Sequence, residues 1–392
     1  MQSLLQLSNH PSVQTLKERI RSEMNELIDL IIQIQQIPAP TFEEAARAMF
    51  IQGKMAQIGL IDVSQDEIYN VYGRYPHSAD DSLPPIIISA HSDTVFPKET
   101  DLTYQKRGSK LYGPGIGDNS TGVAGVLFLA DLLTQEKIPV KNPIWFVSNV
   151  GEEGLGDLKG MRAVVERFGS RAKYIVIEGG LFGQISHQAI GVQRFKISVE
   201  TDGGHSWGSF GKTSAIHELG RLITLIAELK VPSSPKTTFN VGMIEGGTSI
   251  NTIAQRAYML LDLRSEKTET LDKLVANVKG MVQKANRQSD HKTIFKMAQI
   301  GHRPAGSTPK SGPLVTQAIE SLALVGRSRP IFITSSTDCN IPLSKGYESV
   351  CIGLTESNFA HRLDEHIDIT HLPTGVQQMM YLLLAAANFS VS

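Results

Sequence analysis

The sequence predicts an α/β fold: a mostly parallel sheet with helices on both faces, carrying an inserted α+β unit. Three observations lead there. Short, continuous apolar runs alternate with loops and amphipathic helices, as in strands buried on both faces of a parallel sheet. Acidic and histidine residues follow those runs closely. After Gly191 the apolar pattern changes to period two, the mark of a sheet with one buried face.

The elements follow in order. Residues 12 to 58 carry helical periodicity, with Leu16, Ile20, Met24, Leu27, Leu30 and Ile31 at three- and four-residue steps. Pro38 to Pro40 ends that helix, and Thr41-Phe-Glu-Glu44 has the form of a capping box opening the next. Ile86 to Ala90 is an apolar strand running into His91. Tyr112-Gly-Pro-Gly-Ile-Gly117 leads through Asp118 into a helix over Val123 to Leu133. Ile144 to Val150 is a second buried strand, followed by Glu152, and Tyr174 to Ile177 is a third, ending at Glu178. In such sheets, sites form beyond the carboxyl ends of the strands.

From Gln193 to Thr201 the chain alternates, with Phe195, Ile197 and Val199 on one side. A helix over Thr213 to Leu229, strands over Thr238 to Ile244 and Ala257 to Leu263, and a helix over Thr270 to Asn286 complete a β-α-β-β-α unit. Beyond Gly306 come a helix, strands at Pro330 to Ile333 and Ser349 to Gly353, and a C-terminal helix. The expected organisation is a domain of residues 1–190 and 304–392 with a second domain, 191–303, inserted into it. Hinges are expected near Gly191 and Arg303-Pro304.

Composition excludes several classes. A net charge of −1 offers nothing to nucleic acid or an anionic membrane. No apolar stretch approaches the ~20 residues of a membrane span. The two cysteines, Cys339 and Cys351, imply no disulfide framework. Met1 to Arg19 lacks a basic start and an apolar core, so no signal peptide is expected and the cytoplasm is the expected location.

The chemistry lies in His91 and Asp93 of Ser89-Ala-His-Ser-Asp-Thr94, Asp118 of Gly117-Asp-Asn-Ser-Thr-Gly122, Glu152-Glu153 before Gly154, Glu178, and His361. Imidazole and carboxylate are ligands for borderline and hard divalent cations. Two cations sharing a carboxylate and a water would activate that water, and a neighbouring carboxylate would take its proton. The adjacent pair Glu152-Glu153 suits that division, one as ligand and one as base. His91 and Asp93, two apart at a strand end, could face the same way, with Asp93 orienting the imidazole. Taken singly, each motif has a plainer explanation. His-Ser-Asp could be a surface loop, Glu-Glu before Gly a solvated turn, and Asp118 the cap of the following helix.

The chain resembles the di-zinc exopeptidase and deacylase family of carboxypeptidase G, peptidase T, aminoacylase and succinyl-diaminopimelate desuccinylase. The motifs are Ala90-His-Ser-Asp-Thr94, Gly115-Ile-Gly-Asp-Asn-Ser-Thr-Gly122, Glu152-Glu153-Gly154, and His361 with Asp364-Glu365. The resemblance implies a zinc-exopeptidase-type catalytic domain. In it His91 and Glu178 bind one metal, Asp118 bridges, Glu153 and His361 hold the other, Glu152 is the general base, and Asp93 supports His91. Zinc is the implied metal, with cobalt and manganese as alternatives.

The insert is similar to the family's lid and dimerisation domain. Gly203-Gly-His-Ser-Trp207 resembles its histidine loop, which implies that His205 reaches the neighbouring subunit's site. Asn251 and Arg264 match residues that contact the substrate's carbonyl or carboxylate. Outside the resemblance, His205 would be a loop histidine and Arg264 a surface charge. Peptidase T-like members are the nearest placement, with two departures. Thr334-Ser-Ser-Thr-Asp338 stands where they carry Arg-Gly-Gly-Thr-Asp, and Glu178 stands where they tend to have Asp.

The expected function is hydrolysis of one amide bond near a free terminus of a small peptide. The alternatives are deacylation of N-acyl amino acids by the same mechanism, and a non-catalytic dimeric scaffold. The expected partners are that small substrate and a second copy of the chain, with no nucleic acid and no membrane.

Overall fold

Four apolar runs form the parallel centre of one sheet. Across it, in order, lie Ile144–Asn149, Ile86–His91, Lys173–Glu178 and Ser349–Gly353, each parallel to its neighbour. Their side chains alternate between two cores. Ile86 and Ile88 join one apolar cluster, while Ile87 joins another with Val147 and Val176. This period-two division is why the runs are apolar throughout. The first face is covered by the helices Pro11–Ser22, Met24–Gln35, Thr121–Gln135 and Leu372–Ala386, and the second by Lys159–Phe168.

The sheet is mixed at its margins. Val71–Tyr75 runs antiparallel to Ile144–Asn149, and Ile61–Gln65 antiparallel to Val71–Tyr75. On the other side Gln184–Ala189 lies antiparallel to Ser349–Gly353, with Ile331–Ser335 parallel to it. Because the central strands are parallel, their carboxyl ends lie together. His91 pairs in register with Asn149, and Glu178 with Gly353.

This computed structural model describes residues 4–76, 78–289 and 292–389. Its contacts divide the chain into two units, Met1–Ala189 with Ser307–Ser392, and Ile190–Gly306. In the second unit, Gly191–Glu200, Thr237–Gly246, Arg256–Ser265 and Ile294–Arg303 form an antiparallel sheet. The helices Ala215–Ala227 and Thr268–Gln288 contribute to the same core as its strands. Ile294–Arg303 extends the expected β-α-β-β-α order to β-α-β-β-α-β, the ferredoxin-like motif. It is a half-exposed edge strand, so its apolar alternation is weak.

Two local expectations need correction. The first helical stretch is two helices, broken at Glu23, whose N–H bonds to Arg19 O and whose carboxylate pairs with the Arg19 guanidinium. The capping box at Thr41 does not form. The helix begins at Ala45 with no side-chain cap, and Thr41 Oγ1 donates to Asp93 Oδ2 at 2.9 Å instead. Among the described residues, no helix is long and apolar enough to cross a membrane.

Candidate metal centre

The strand ends bring the acidic and histidine residues into two touching clusters: His91 with Asp118 and Glu178, and Asp118 with Glu153 and His361. The ligand-type atoms of each cluster lie within 4.8 Å of one another. His91 is the last residue of its strand and is buried. Its Nδ1 lies 3.2 Å from the Asp93 carbonyl, which can only accept, so Nδ1 carries a proton and Nε2 is the nitrogen that a cation would take after losing its own. Nε2 faces Asp118 Oδ1 at 3.1 Å and Glu178 Oε2 at 3.7 Å. His361 is exposed, and its Nε2 lies 3.2 Å from Asp118 Oδ2 and 3.0 Å from Glu153 Oε1. Asp118 thus turns one oxygen to each histidine.

Helix capping falls to the neighbouring residue. Asn119 Oδ1 accepts from Gly122 N at 3.1 Å and from Gly179 N at 2.7 Å, which leaves the Asp118 carboxylate to the clusters. Glu152 and Glu153 follow Asn149 on the adjacent strand end, and both are buried. Glu153 joins a cluster, and Glu152 belongs to neither.

Two buried carboxylates hold the loops. Asp93 accepts Glu152 N on Oδ1 at 2.9 Å, and Glu153 N at 3.0 Å together with the Thr41 hydroxyl on Oδ2. Its Oδ1 also lies 3.5 Å from His91 Nδ1. Asp93 therefore fixes the Glu152-Glu153 loop as well as His91, a role its position in the sequence did not disclose. Arg47, fully buried, donates to Ser92 O at 2.7 Å and so anchors the segment from His91 to Asp93. Glu365 accepts the amides of Gly115, Gly117 and Asp118. Gly115 needs its left-handed backbone (φ 69°), and a side chain at Gly117 would collide with Ser357 Oγ.

The electrostatics suit cations. Burial works against a charged imidazole at His91, yet hydrogen bonds to Asp118, Asp93 and Glu178 hold its pKa well above the usual value. Hydrogen bonds to Asp118 and then Glu153 push His361 up to about 10. Burial pushes Glu178 up, and the nearby charges of Asp118 and Glu153 add to it. Despite burial, hydrogen bonds from His361 and His91 hold Asp118 well below the carboxylate range. Three carboxylates and two imidazoles crowded in this way fit a pair of divalent cations, whose charge would relieve the acidic repulsion and replace the imidazole protons. Cys339 stays apart from this chemistry, because burial raises its thiol pKa.

The other three singled-out residues lie in the second unit. His205 is exposed, and its Nδ1 accepts from Trp207 N at 3.2 Å and Gly208 N at 3.3 Å, so the neutral ring carries its proton on Nε2. Asn251 adjoins it: Ser206 N donates to Asn251 O, and His205 pairs with Thr252. Arg264 is elsewhere. It is bonded to Asp262, with Nε–Oδ1 at 2.6 Å. It stands eight residues along the strand from Arg256 (264 − 256), about 26 Å at roughly 3.3 Å per residue. The loop of His205 is tied to the Arg256 end through Thr201 N and Gln255 O. One unit therefore brings His205 and Asn251 together and keeps Arg264 apart.

Residues 87–385 match the profile of peptidase family M20/M25/M40. The chain belongs to this family. It is accordingly an enzyme of a metal-dependent hydrolase family. Among curated relatives, it is 23% identical over 410 residues to an N-formyl-4-amino-5-aminomethyl-2-methylpyrimidine deformylase of Bacillus subtilis, covering 92% of the chain and 94% of that protein. Among solved structures, a tripeptidase from Staphylococcus aureus superposes with a TM-score of 0.78 at 21% identity, over 93% of this chain and 99% of that one. A dinuclear metal-binding peptidase of the family from Bacillus subtilis superposes with a TM-score of 0.66 at 17% identity, over 94% and 100%. At these identities the likeness to the solved structures is one of fold.

Proposed function

We propose that this family member is a dinuclear-metal exopeptidase that cleaves an amide bond near a free terminus of a small peptide. The observation that carries the reading is Asp118, whose two oxygens turn to His91 and to His361, so that one carboxylate belongs to both clusters. His91 and Glu178 would hold one cation, Glu153 and His361 the other, and Asp118 both. Zinc is the proposed metal. Bound there, the cations supply Lewis acidity to the attacking water and to the amide carbonyl.

The rest is done by the chain. Glu152 sits beside Glu153 but outside both clusters, so it is the base that takes the water's proton and then delivers it to the leaving nitrogen. Asp93 holds Glu152 and Glu153 by their amides and keeps the base in place. His205 offers an Nε2–H donor for the developing oxyanion, Asn251 stands next to it, and Arg264 takes the substrate's carbonyl or carboxylate. The separation of about 26 Å between the ends of one lid strand supports a shared site: the partner subunit's His205 and Asn251 would serve the site that uses this chain's Arg264. The lid is then the dimer contact.

A second reading keeps the mechanism and changes the substrate to N-acyl amino acids. It is favoured by Thr334 on the strand Ile331–Ser335, where peptidase T-like members carry an arginine for the peptide terminus. Both are tested with zinc-loaded protein on a panel of di- and tripeptides beside N-formyl and N-acetyl amino acids. Glu152→Gln should retain two zinc ions and lose roughly 10²–10⁴-fold in turnover. Near-normal turnover of that variant removes Glu152 from the role. Turnover of acylated amino acids alone selects the second reading.

A further inference from the structure

The sequence stretch that carries His361 ends in Asp364-Glu365, and the mechanism above leaves Glu365 unused. We propose that Glu365 is the positioning residue of the metal centre, the group that sets the orientation of Asp118 between the two clusters. The proposal rests on the metal-centre reading and deepens it.

Glu365 is fully buried. Its Oε1 accepts Gly117 N at 2.7 Å and Asp118 N at 2.9 Å, and its Oε2 accepts Gly115 N at 3.0 Å. Three amides converging on one carboxylate set the peptide planes that enter Gly115, Gly117 and Asp118. That precision matters because the Asp118 side chain must present Oδ1 to His91 and Oδ2 to His361 at once. A small rotation of its backbone withdraws one oxygen or the other. Glu365 also lies four residues beyond His361, so the same side chain sets the spacing between the His361 segment and the Asp118 loop.

A purely architectural role explains less. The two segments are already joined without this side chain. His366–Asp368 pairs with Lys110–Tyr112, and Gly113 N donates to the Glu365 carbonyl at 2.9 Å. What the carboxylate adds is the course of Gly115 to Asp118. Gly115 lies in the left-handed region, and Gly117 has no room for a side chain, so both glycines serve that same course.

Zinc alone is the probe. The metal-free full-length protein competes for Zn²⁺ with a chromogenic chelator, and circular dichroism confirms the fold of each variant. Wild type should take two ions. Glu365→Gln places an NH₂ where an acceptor stood, and both ions should bind roughly 10–100-fold more weakly, the usual effect of losing a group that orients a ligand. Both steps weaken because Asp118 serves both. Glu365→Asp keeps the charge but lacks the reach to serve three amides, so it should weaken both steps too and separates orientation from charge. It also carries the comparison should the glutamine variant fail to fold. Asp364→Asn, exposed and bonded to Arg362, should leave both steps unchanged. Folded glutamine and aspartate variants that bind two zinc ions as tightly as wild type, with only their thermal stability lowered, would overturn the proposal. So would equal weakening by Asp364→Asn. Wild-type protein that takes up no zinc overturns the metal centre itself, and this inference with it.

Discussion

Asp93→Asn tests the carboxylate that ties His91 to the Glu152-Glu153 loop. The substitution preserves size and one carbonyl oxygen. Wild-type Asp93 serves Glu152 N with one oxygen and Glu153 N plus Thr41 Oγ1 with the other, and Asp93, Glu152 and Glu153 are buried while Thr41 is half-buried. Asparagine can face only one of those sides with oxygen. The other side meets an NH₂, which puts donor against donor. At least one hydrogen bond to a charged acceptor is lost, worth about 1.5–3 kcal/mol, and its amide is left buried and unpaired. The surviving bonds fall from charge-assisted to neutral strength, roughly half. Together these give a destabilisation of about 3–5 kcal/mol. Thr41→Val, which removes a single donor, should cost about 1–2 kcal/mol, and the double variant should cost less than the sum because the two share a partner. The assay is urea unfolding of the metal-free proteins, read as midpoint and slope. An Asp93→Asn change below about 1 kcal/mol at unchanged slope would show that the loop does not depend on this carboxylate.

Subunit mixing tests the shared site. Neither His205→Ala nor Glu152→Gln homodimers should turn over substrate well, yet after random exchange about a quarter of wild-type activity should return: half the dimers are mixed, and each has one working site of two. No recovery after proven exchange, or a monomeric active enzyme, rejects the arrangement. Protonation is the next test. The usual imidazole pKa is near 6.5, and Asp118 and Glu153 push His361 up to about 10. In the metal-free protein its contribution to stability is therefore fully present below pH ~6.5 and lost as pH rises through about 10. Urea midpoints of metal-free protein should fall between neutral and alkaline pH, more gently in His361→Ala. Carboxylate partners raise the pKa of both His91 and His361 in that state, so zinc binding should release protons. Calorimetry in buffers of different ionisation enthalpy measures this, and release of none would place the cations elsewhere.

What could be read from the sequence was whatever is written in local pattern. The strands at Ile86, Ile144, Tyr174 and Ser349 are apolar because both their faces are covered, and the acidic and histidine residues follow them because the strands are parallel. Gln184–Ala189 escaped notice because its polar composition, Gln-Ile-Ser-His-Gln-Ala, carries neither period. Ile294–Arg303 escaped because an edge strand exposes half its residues. Thr41 misled in an instructive way. Its spacing to Glu44 satisfies the capping rule, but a buried carboxylate 52 residues away competed for the hydroxyl and won. Glu365 was visible only as part of a motif. Its three amide partners lie about 250 positions away, and no local rule reaches that far.

The parallel centre of the sheet has a consequence for how the enzyme is made. Ser349–Gly353 closes that centre, and it leaves the ribosome after the whole of Ile190–Gly306. His361 and Glu365 come later still. Ribosomes add about 5–20 residues per second, and the 183 positions from Glu178 to His361 (361 − 178) take roughly ten to forty seconds at that pace. Throughout that interval the nascent chain holds His91, Asp118 and Glu178 but lacks the carboxylate that grips the Asp118 loop, and its second cluster has no histidine. On the proposed ligand assignment, the second cluster is completed only when translation is nearly over. A chain stopped short of His361 lacks that histidine and also the helix Leu372–Ala386, which covers one face of the sheet.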